Sequence, residues 1–233
     1  MAIAFANVGA STTPDINLSA NQSSYVGSSA VPPTTGILAV FVKNSIAAAG
    51  NKPTISAWGI TWTEIGTHVA DTGNADRITL LAAFASGATE GAATVDFASE
   101  TQLDCRASFF QVTGAKEDGA ITEAFRNVST GNGTGTSGAV TLGAAADSNN
   151  RPIAAFTHEA NEATTSGWTE LDDLAGVAPT TGFATQYKDD AFSTSATASW
   201  TTSSDWVGLA VEVIAATGGG GVTVKTLAAL GVG

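Results

Sequence analysis

His68 and His158 are the only histidines in the chain, so any general-base chemistry near neutral pH would depend chiefly on them. Nucleophilic catalysis needs such a base beside a serine or cysteine, and neither histidine lies near a Gly-x-Ser-x-Gly nucleophile elbow. The single cysteine, Cys105, lies in the apolar run 103–112, where we expect a buried and unreactive thiol. The sequence therefore predicts a protein that is not an enzyme and that has no cofactor.

Carboxylates occur in groups at Asp71 and Asp76, at residues 172–173 and at residues 189–190. We expect these groups in loops that flank strands, where solvated charge is the simplest interpretation. Oxygen-rich loops are also what Ca²⁺ prefers, so a structural Ca²⁺ is one alternative. Glycan hydrolysis is another, and it would require two of the carboxylates to face one cleft. No residue is predicted as a metal ligand.

Five tryptophans could provide a platform on which sugar rings stack. Trp62, Trp168 and Trp200 have an aromatic counterpart elsewhere in the chain, which predicts that the fold requires large apolar groups at those positions. Trp58 and Trp206 have no such counterpart. They are therefore the better candidates for exposure and for contact with a glycan.

An internal repeat accounts for these counterparts. Four short segments recur in the same order, and the spacing between them shrinks in the second copy. This pattern indicates that both copies have the same strands and that the loops are shorter in the second copy. The matched segments are 37–43 with 152–158, 62–65 with 168–171, 94–97 with 197–200, and 108–112 with 209–213.

Helical periodicity is nearly absent, while strand-length apolar runs recur between turn residues. We predict an all-β fold, a jelly-roll-like antiparallel β-sandwich formed by residues 1–217, with pseudo-repeats at about 1–117 and 118–217. Two tandem immunoglobulin-like modules are the alternative. Residues 129–138, rich in Gly, Ser and Thr, are predicted to form a long surface loop or a linker between the halves.

The last segment, 218–233, is predicted to be a tethered C-terminal arm. Four glycines at 218–221 separate an apolar tail from the body. Such a tail is too short to be a domain, and it would gain little from burial within its own chain. We therefore expect it to dock on a neighbouring subunit through Val222, Val224, Leu227 and Leu230.

Charge excludes one large class of partner. The chain carries 21 acidic and 9 basic residues, for a formal net charge of −12. Because a phosphate backbone would be repelled, we expect no binding to nucleic acid. The N-terminal residues lack the features of a secretory signal and no apolar run could span a bilayer, so we expect synthesis in a cytoplasm and no membrane partner.

The order of four segments resembles a widespread group of β-sandwich proteins found in tailed-phage structural modules and as uncharacterised bacterial proteins. The resemblance covers about residues 30–215. It rests on strand rhythm, and it carries no active-site residues to transfer. The segments are Gly-Ile-Leu-Ala-Val-Phe-Val at 36–42, Gly-Ile-Thr-Trp-Thr-Glu-Ile at 59–65, Ile-Thr-Leu-Leu-Ala-Ala-Phe-Ala-Ser-Gly at 78–87 and Phe-Phe-Gln-Val-Thr-Gly at 109–114.

The resemblance implies a virion structural protein made in the host cytoplasm, as a capsid decoration or another head- or tail-associated protein. Its expected partners are other virion subunits, as a homo-oligomer or together with the major capsid or tail protein. A carbohydrate-binding or host-attachment module is the alternative. An exposed Trp58 or Trp206 beside acidic loops would favour that alternative.

Overall fold

The computed structural model describes residues 2–8, 14–46, 51–69, 75–159, 167–177 and 180–217. Apart from a 3₁₀ turn at Ile121–Ala124, the regular structure in these ranges is β. No helix among these residues has the length and apolar character needed to cross a membrane. In chain order the strands are β1 (Ala4–Asn7), β2 (Ile16–Leu18), β3 (Ser24–Ala30), β4 (Ile37–Ile46), β5 (Thr54–Ser56), β6 (Thr63–Val69), β7 (Ala75–Phe84), β8 (Gly91–Asp96), β9 (Asp104–Thr113), β10 (Phe125–Thr141), β11 (Arg151–His158), β12 (Thr169–Asp173), β13 (Gly176–Val177), β14 (Thr180–Tyr187) and β15 (Ser195–Val213).

These strands form two large sheets and one small sheet, all paired antiparallel. The first inner sheet has the order β1-β9-β4-β7-β6, with β2 also on β9. The second inner sheet has the order β10-β15-β11-β14-β12, with β13 on β14. The outer sheet has the order β3-β8-β5. The antiparallel all-β class predicted from the sequence is confirmed, while the jelly-roll arrangement is not confirmed.

Strand β4 shows how the layers stack, because its two faces are buried in different cores. Ile37, Ala39 and Phe41 face the second inner sheet, in a core shared by both halves of the chain. The alternate residues Leu38 and Val40 face the outer sheet and belong to a second core. Where both faces of a strand are buried in apolar cores, consecutive residues are apolar, as they are over residues 37–42. This accounts for the continuous apolar run in β4.

The second inner sheet is covered in the same way on its far side. Ala154 and Phe156 of β11 lie in a third core together with Ala198 and Trp200 of β15. Residues 195–199 of β15 pair with residues 137–141 of β10 and form the covering layer. The remaining parts of β10 and β15 pair within the second inner sheet. The two long strands therefore contribute to both layers.

The prediction of a surface loop or linker at residues 129–138 is wrong, because this segment lies inside β10. Three of its glycines, Gly131, Gly133 and Gly138, are covered by the indole of Trp206. A Cβ added at Gly138 would lie 2.8 Å from Trp206 Cε3, and one added at Gly133 would lie 3.2 Å from its Nε1. Glycine weakens strands in general. Here it leaves room for an aromatic ring that packs on the backbone.

The halves of the chain contact each other reciprocally. Lys116 N donates to Ile214 O at 2.8 Å, and Ala216 N donates to Gly114 O at 2.8 Å, around the paired residues Ala115 and Ala215. At the sheet edges β1 contacts β12 and β6 contacts β10. Strands β1 and β10 have the same position in their sheets, and so do β6 and β12. The two edge contacts are therefore equivalent when one sheet is superposed on the other. The internal repeat itself stays a prediction.

Candidate functional site: a buried charge cluster between the inner sheets

The core between the inner sheets is apolar over most of its length and polar at one end. Along β4, the face that carries Phe41 continues with Lys43 and Ser45. Along β9, the face that carries Phe110 continues with Arg106 and Asp104. All four polar residues are buried, with at most 3% of their surface exposed. Charged residues are rarely buried unless they are paired, so this end of the core needs internal partners.

Lys43 lies at the centre of the cluster. Its ammonium nitrogen is 2.9 Å from Asp104 Oδ1 and 2.8 Å from Asp104 Oδ2. The same nitrogen donates to Ser45 Oγ at 2.5 Å and lies 3.3 Å from Asp76 Oδ1. Ser45 Oγ in turn donates to Asp76. The ammonium is therefore held between two carboxylates and a hydroxyl.

The second half of the chain supplies hydroxyl groups to these carboxylates. Thr181 Oγ1 donates to Asp104 Oδ2 at 3.2 Å, and Thr157 Oγ1 donates to Asp76 Oδ2 at 3.3 Å. The charges come from β4, β7 and β9, whereas the hydroxyls come from β11 and β14. Hydrogen bonds to the remaining lone pairs are what make a buried ion pair tolerable. The cluster thus joins the inner sheets with directional contacts.

Arg106 supplies the second cation. Its Nη2 lies 3.7 Å from Asp104 Oδ2 and donates to Ser19 Oγ at 2.7 Å. Burial alone would raise the pKa of Asp104, but Lys43, Arg106 and Ser45 outweigh it and hold that pKa below the ordinary value. A Cβ added at Gly176 would lie 2.0 Å from Arg106 Nη2, so a side chain at this position of β13 would displace the guanidinium.

A pair of carboxyl groups lies beside this cluster. Burial raises the pKa of Asp172, although hydrogen bonds with Ser108 and Asp15 act in the opposite direction. Asp15 Oδ1 accepts from the Phe109 amide at 2.8 Å. A raised pKa favours the protonated form, which can donate to a neighbouring carboxylate. These residues join the start of β2 to β12.

The carboxylates grouped in the sequence do not come together as a metal site in the described residues. Asp76 lies in β7 and residues 172–173 lie in β12, so the prediction that these carboxylates are in loops is wrong. Asp71 lies outside the described residues, and residues 189–190 lie in a bend after β14. Within the described ranges no three His, Cys, Asp or Glu side chains are grouped so as to hold a metal ion.

The histidines are separated, on opposite inner sheets. His158 is fully buried and stacks on Trp200, with 4.5 Å between the ring centroids. Burial lowers the pKa of His158 to about 4, and the positive charge of Lys43 is a second, smaller cause. His68 in β6 contacts Asn132 of β10, with 3.2 Å between Nε2 and Oδ1. The two rings therefore make structural contacts in different layers.

Cys105 is fully buried, as predicted. Burial, and next the negative charge of Asp104, raise the pKa of its thiol. A raised pKa suppresses the thiolate, which is the reactive form. The geometry therefore gives this cysteine a packing role.

The prediction of an exposed Trp58 is wrong. Only 3% of its surface is exposed, and its Nε1 donates to Gly91 O at 3.0 Å. Trp206 is half-buried and packs on the glycines of β10. Trp168 and Trp200 are buried, and Trp62 is half-buried against Trp58 and Phe109. The outer cores thus take up most of the aromatic surface that a glycan platform would need.

A groove of 640 Å³ lies at the opposite end of the core and includes Arg126 and Arg151. Both cations have partners there. Arg126 Nε lies 3.2 Å from Glu212 Oε2, and Arg151 Nη1 donates to Ser148 O at 2.8 Å. Glu212 also accepts from Ala146 N at 3.1 Å. These contacts tie the loop before β11 to β15.

The charge cluster was missed at the level of sequence, and one signal could have indicated it. Lys43, Asp104 and Arg106 interrupt strands that are otherwise apolar on both faces. The predicted interface residues Val222, Val224, Leu227 and Leu230 lie outside the described residues. Comparisons of the chain with protein-family models, curated proteins and solved structures find no match.

Proposed function

We propose that this chain is a non-enzymatic structural protein of a phage virion, a capsid decoration or another head- or tail-associated protein. The observation that carries the proposal is the placement of the reactive groups. Lys43, Cys105 and His158 have no exposed surface, and all three are packed within the layers. A catalytic centre needs such groups in a cleft that substrate can reach.

The outer surface supports a role in assembly. Strand β3 lies at an edge of the outer sheet, and Val26 in this strand is 58% exposed. Val31, directly after the strand, is 70% exposed. An edge strand with exposed apolar side chains can accept a strand or an apolar surface from a neighbour. The expected neighbours are other virion subunits, either copies of this chain or the major capsid or tail protein.

The C-terminal segment supplies a second attachment to those neighbours. The four predicted interface residues, Val222, Val224, Leu227 and Leu230, follow the glycines at 218–221. The final described residue, Thr217, lies at the groove beside β15. A tail that leaves the body at this end can reach a neighbouring subunit without disturbing the cores.

Deletion of residues 218–233 tests the proposal. We expect the truncated chain to keep the thermal transition of the full chain and to lose incorporation into particles, as measured by antibody labelling in negative-stain images. Replacing the four glycines by serines is the matched control, because it keeps the tail and its length. Labelled particles in which the truncated protein is as abundant as the full chain would contradict the role of the arm. Absence of the full chain from particles would contradict the proposed function itself.

Binding of carbohydrate is the second candidate, and the half-buried Trp206 favours it. Its ring lies over Gly131 and Gly133 of β10, which have no side chains to cover it. A partly exposed indole offers an aromatic surface on which a sugar ring can stack. Substitution of Trp206 by Phe should keep the fold, so a glycan-array signal lost in this variant would favour attachment over a purely structural role.

A further inference from the structure

The arrangement of Lys43, Asp104 and Asp76 places an amine, a carboxyl group and a second carboxyl group in one water-poor site. Both Asp104 oxygens lie within 2.9 Å of the Lys43 nitrogen. Neither side chain has exposed surface. From this geometry we propose that Lys43 and Asp104 become joined by an intramolecular amide bond, with Asp76 as the group that transfers the proton.

Burial favours condensation over the ion pair. Removing an ammonium and a carboxylate from water is unfavourable, and an amide bond removes both charges from the site. The pKa of Asp104 is held below its ordinary value, so the ion pair is the resting form. The reacting form is the minor one, in which a proton has passed from Lys43 to Asp104 and both groups are neutral. The neutral amine is a nucleophile, and the neutral carboxyl group is an electrophile. Holding the two in contact replaces an encounter in solution by a step within one molecule.

The reaction balances without any co-reactant. The Lys43 nitrogen attacks Cγ of Asp104 and forms the new bond. As it does so, the nitrogen gives up a proton to the Asp76 carboxylate, whose Oδ1 lies 3.3 Å away. Asp76 then returns this proton to the departing oxygen, the Cγ–O bond breaks, and water leaves. No group is oxidised or reduced.

The surrounding donors select which oxygen leaves. Asp104 Oδ2 accepts from Thr181 at 3.2 Å and lies 3.7 Å from the Arg106 guanidinium, so this oxygen is stabilised as negative charge develops. Oδ1 accepts from Lys43, whereas the Thr181 hydrogen bond and the nearer Arg106 contact are both recorded at Oδ2. We therefore assign Oδ1 as the oxygen lost in water. Asp76 is 13% exposed, which places the proton-transfer group at the solvent side of the site.

The cross-link would join neighbouring strands of the first inner sheet. Ser45 of β4 is paired with Asp104 of β9, so the bond runs diagonally from Lys43 across one step of the ladder. It would fix the register of β4 on β9 covalently. After reaction, Asp76 and Arg106 remain as one negative and one positive charge in the cluster. The inference does not depend on the proposed virion function.

Intact mass measured under denaturing conditions decides the question on the unmodified protein. We expect the purified full chain to be lighter than its sequence mass by one water molecule, and a digest to contain a joined peptide with Lys43 and Asp104. A full sequence mass, unchanged after prolonged incubation of the folded chain, would overturn the proposal. This measurement does not depend on whether any variant folds.

Three variants test the assigned roles. In Asp104→Asn the leaving group is ammonia, so the reacted variant should reach the same final mass as the reacted wild type. Lys43→Arg should keep its full sequence mass. Asp76→Asn should react about 10² to 10⁴-fold more slowly, the usual contribution of general acid–base catalysis. Reaction of Asp76→Asn at the wild-type rate would overturn the proton-transfer role.

An exposed ion pair provides the matched control. Lys52 Nζ lies 2.7 Å from Glu64 Oε1, as close as the buried pair, but both side chains are substantially exposed. Lys52→Arg should leave the loss of one water intact, and no digest peptide should join Lys52 to Glu64. A Lys52–Glu64 cross-link would show that proximity suffices without burial, and it would overturn the argument from the buried site.

Discussion

At the scale of single residues, His158 shows how burial changes the acid–base behaviour of a side chain. Its ring is enclosed between layers and stacked on Trp200. The pKa of His158 is about 4 in the folded chain, against an ordinary value of 6.5. Between these two pH values the unfolded chain binds a proton that the folded chain does not. The free energy of unfolding therefore falls as the pH is lowered through this window.

We predict that His158 contributes about 3 kcal/mol to the loss of stability between pH 7 and pH 4. Urea denaturation of the wild type and of His158→Gln at both pH values measures this contribution, and the variant should have a smaller loss. The difference between the two losses gives the contribution of His158. An equal pH dependence in wild type and His158→Gln would contradict the prediction.

At the scale of elements, β10 shows how a glycine-rich segment can be a strand. Trp206 packs over Gly131, Gly133 and Gly138, and the ring occupies the space that their side chains would fill. A Cβ at Gly138 would meet the Trp206 ring at 2.8 Å and Trp200 Cη2 at 3.2 Å. Trp200 belongs to the outer core of the second half, and Trp206 packs against that core.

We predict that Gly138→Ala destabilises the protein by about 1–3 kcal/mol, because overpacking displaces rings that cannot move freely. Thermal denaturation followed by tryptophan fluorescence measures this cost. Gly91→Ala is the matched control, since Gly91 is also in a strand and an added Cβ there meets no atom within 4 Å. Equal melting temperatures for the two variants would argue against the packing of Trp206 on β10.

Element by element, the sequence specified strands well and register less well. Trp62 and Trp168 face outer cores, and Phe97 and Trp200 do as well, so these matched pairs are on equivalent faces. Phe41 faces the shared core, whereas Phe156 faces an outer core. The sequence match of 37–43 with 152–158 is therefore offset by one residue from the positions that are equivalent in the two sheets. A strand that is apolar on both faces has no alternation from which register can be read.

The charge cluster marks the limit of prediction for the site. Buried charges in apolar strands indicate that partners exist, but they do not indicate which residues those partners are. Lys43 meets Asp104 and Asp76 because β9 and β7 lie on either side of β4. The sequence predicted both neighbours as strands. Their placement beside β4 came from the long-range order of the sheet, which the strand pattern does not contain.

At the scale of the whole molecule, the two halves share one core and also have a core each. The shared core contains Phe41, Phe110 and Ile78 from the first half, and Phe183 and Leu209 from the second. The reciprocal hydrogen bonds around Ala115 and Ala215 connect the halves at the end of β9 and β15. The charge cluster adds contacts that only the complete chain satisfies. Separation would expose apolar surface together with buried charge.

We therefore predict that residues 1–117 and residues 118–217, expressed separately, do not unfold as independent units. Each half would present one face of the shared core to water, and the first half would also lose the hydroxyls of Thr157 and Thr181. Calorimetry of each half, of their mixture and of residues 1–217 tests this prediction. The 1–217 chain should give one sharp transition, and mixing the halves should restore part of it. Sharp transitions in each isolated half, at the temperature of the intact chain, would establish two tandem modules instead.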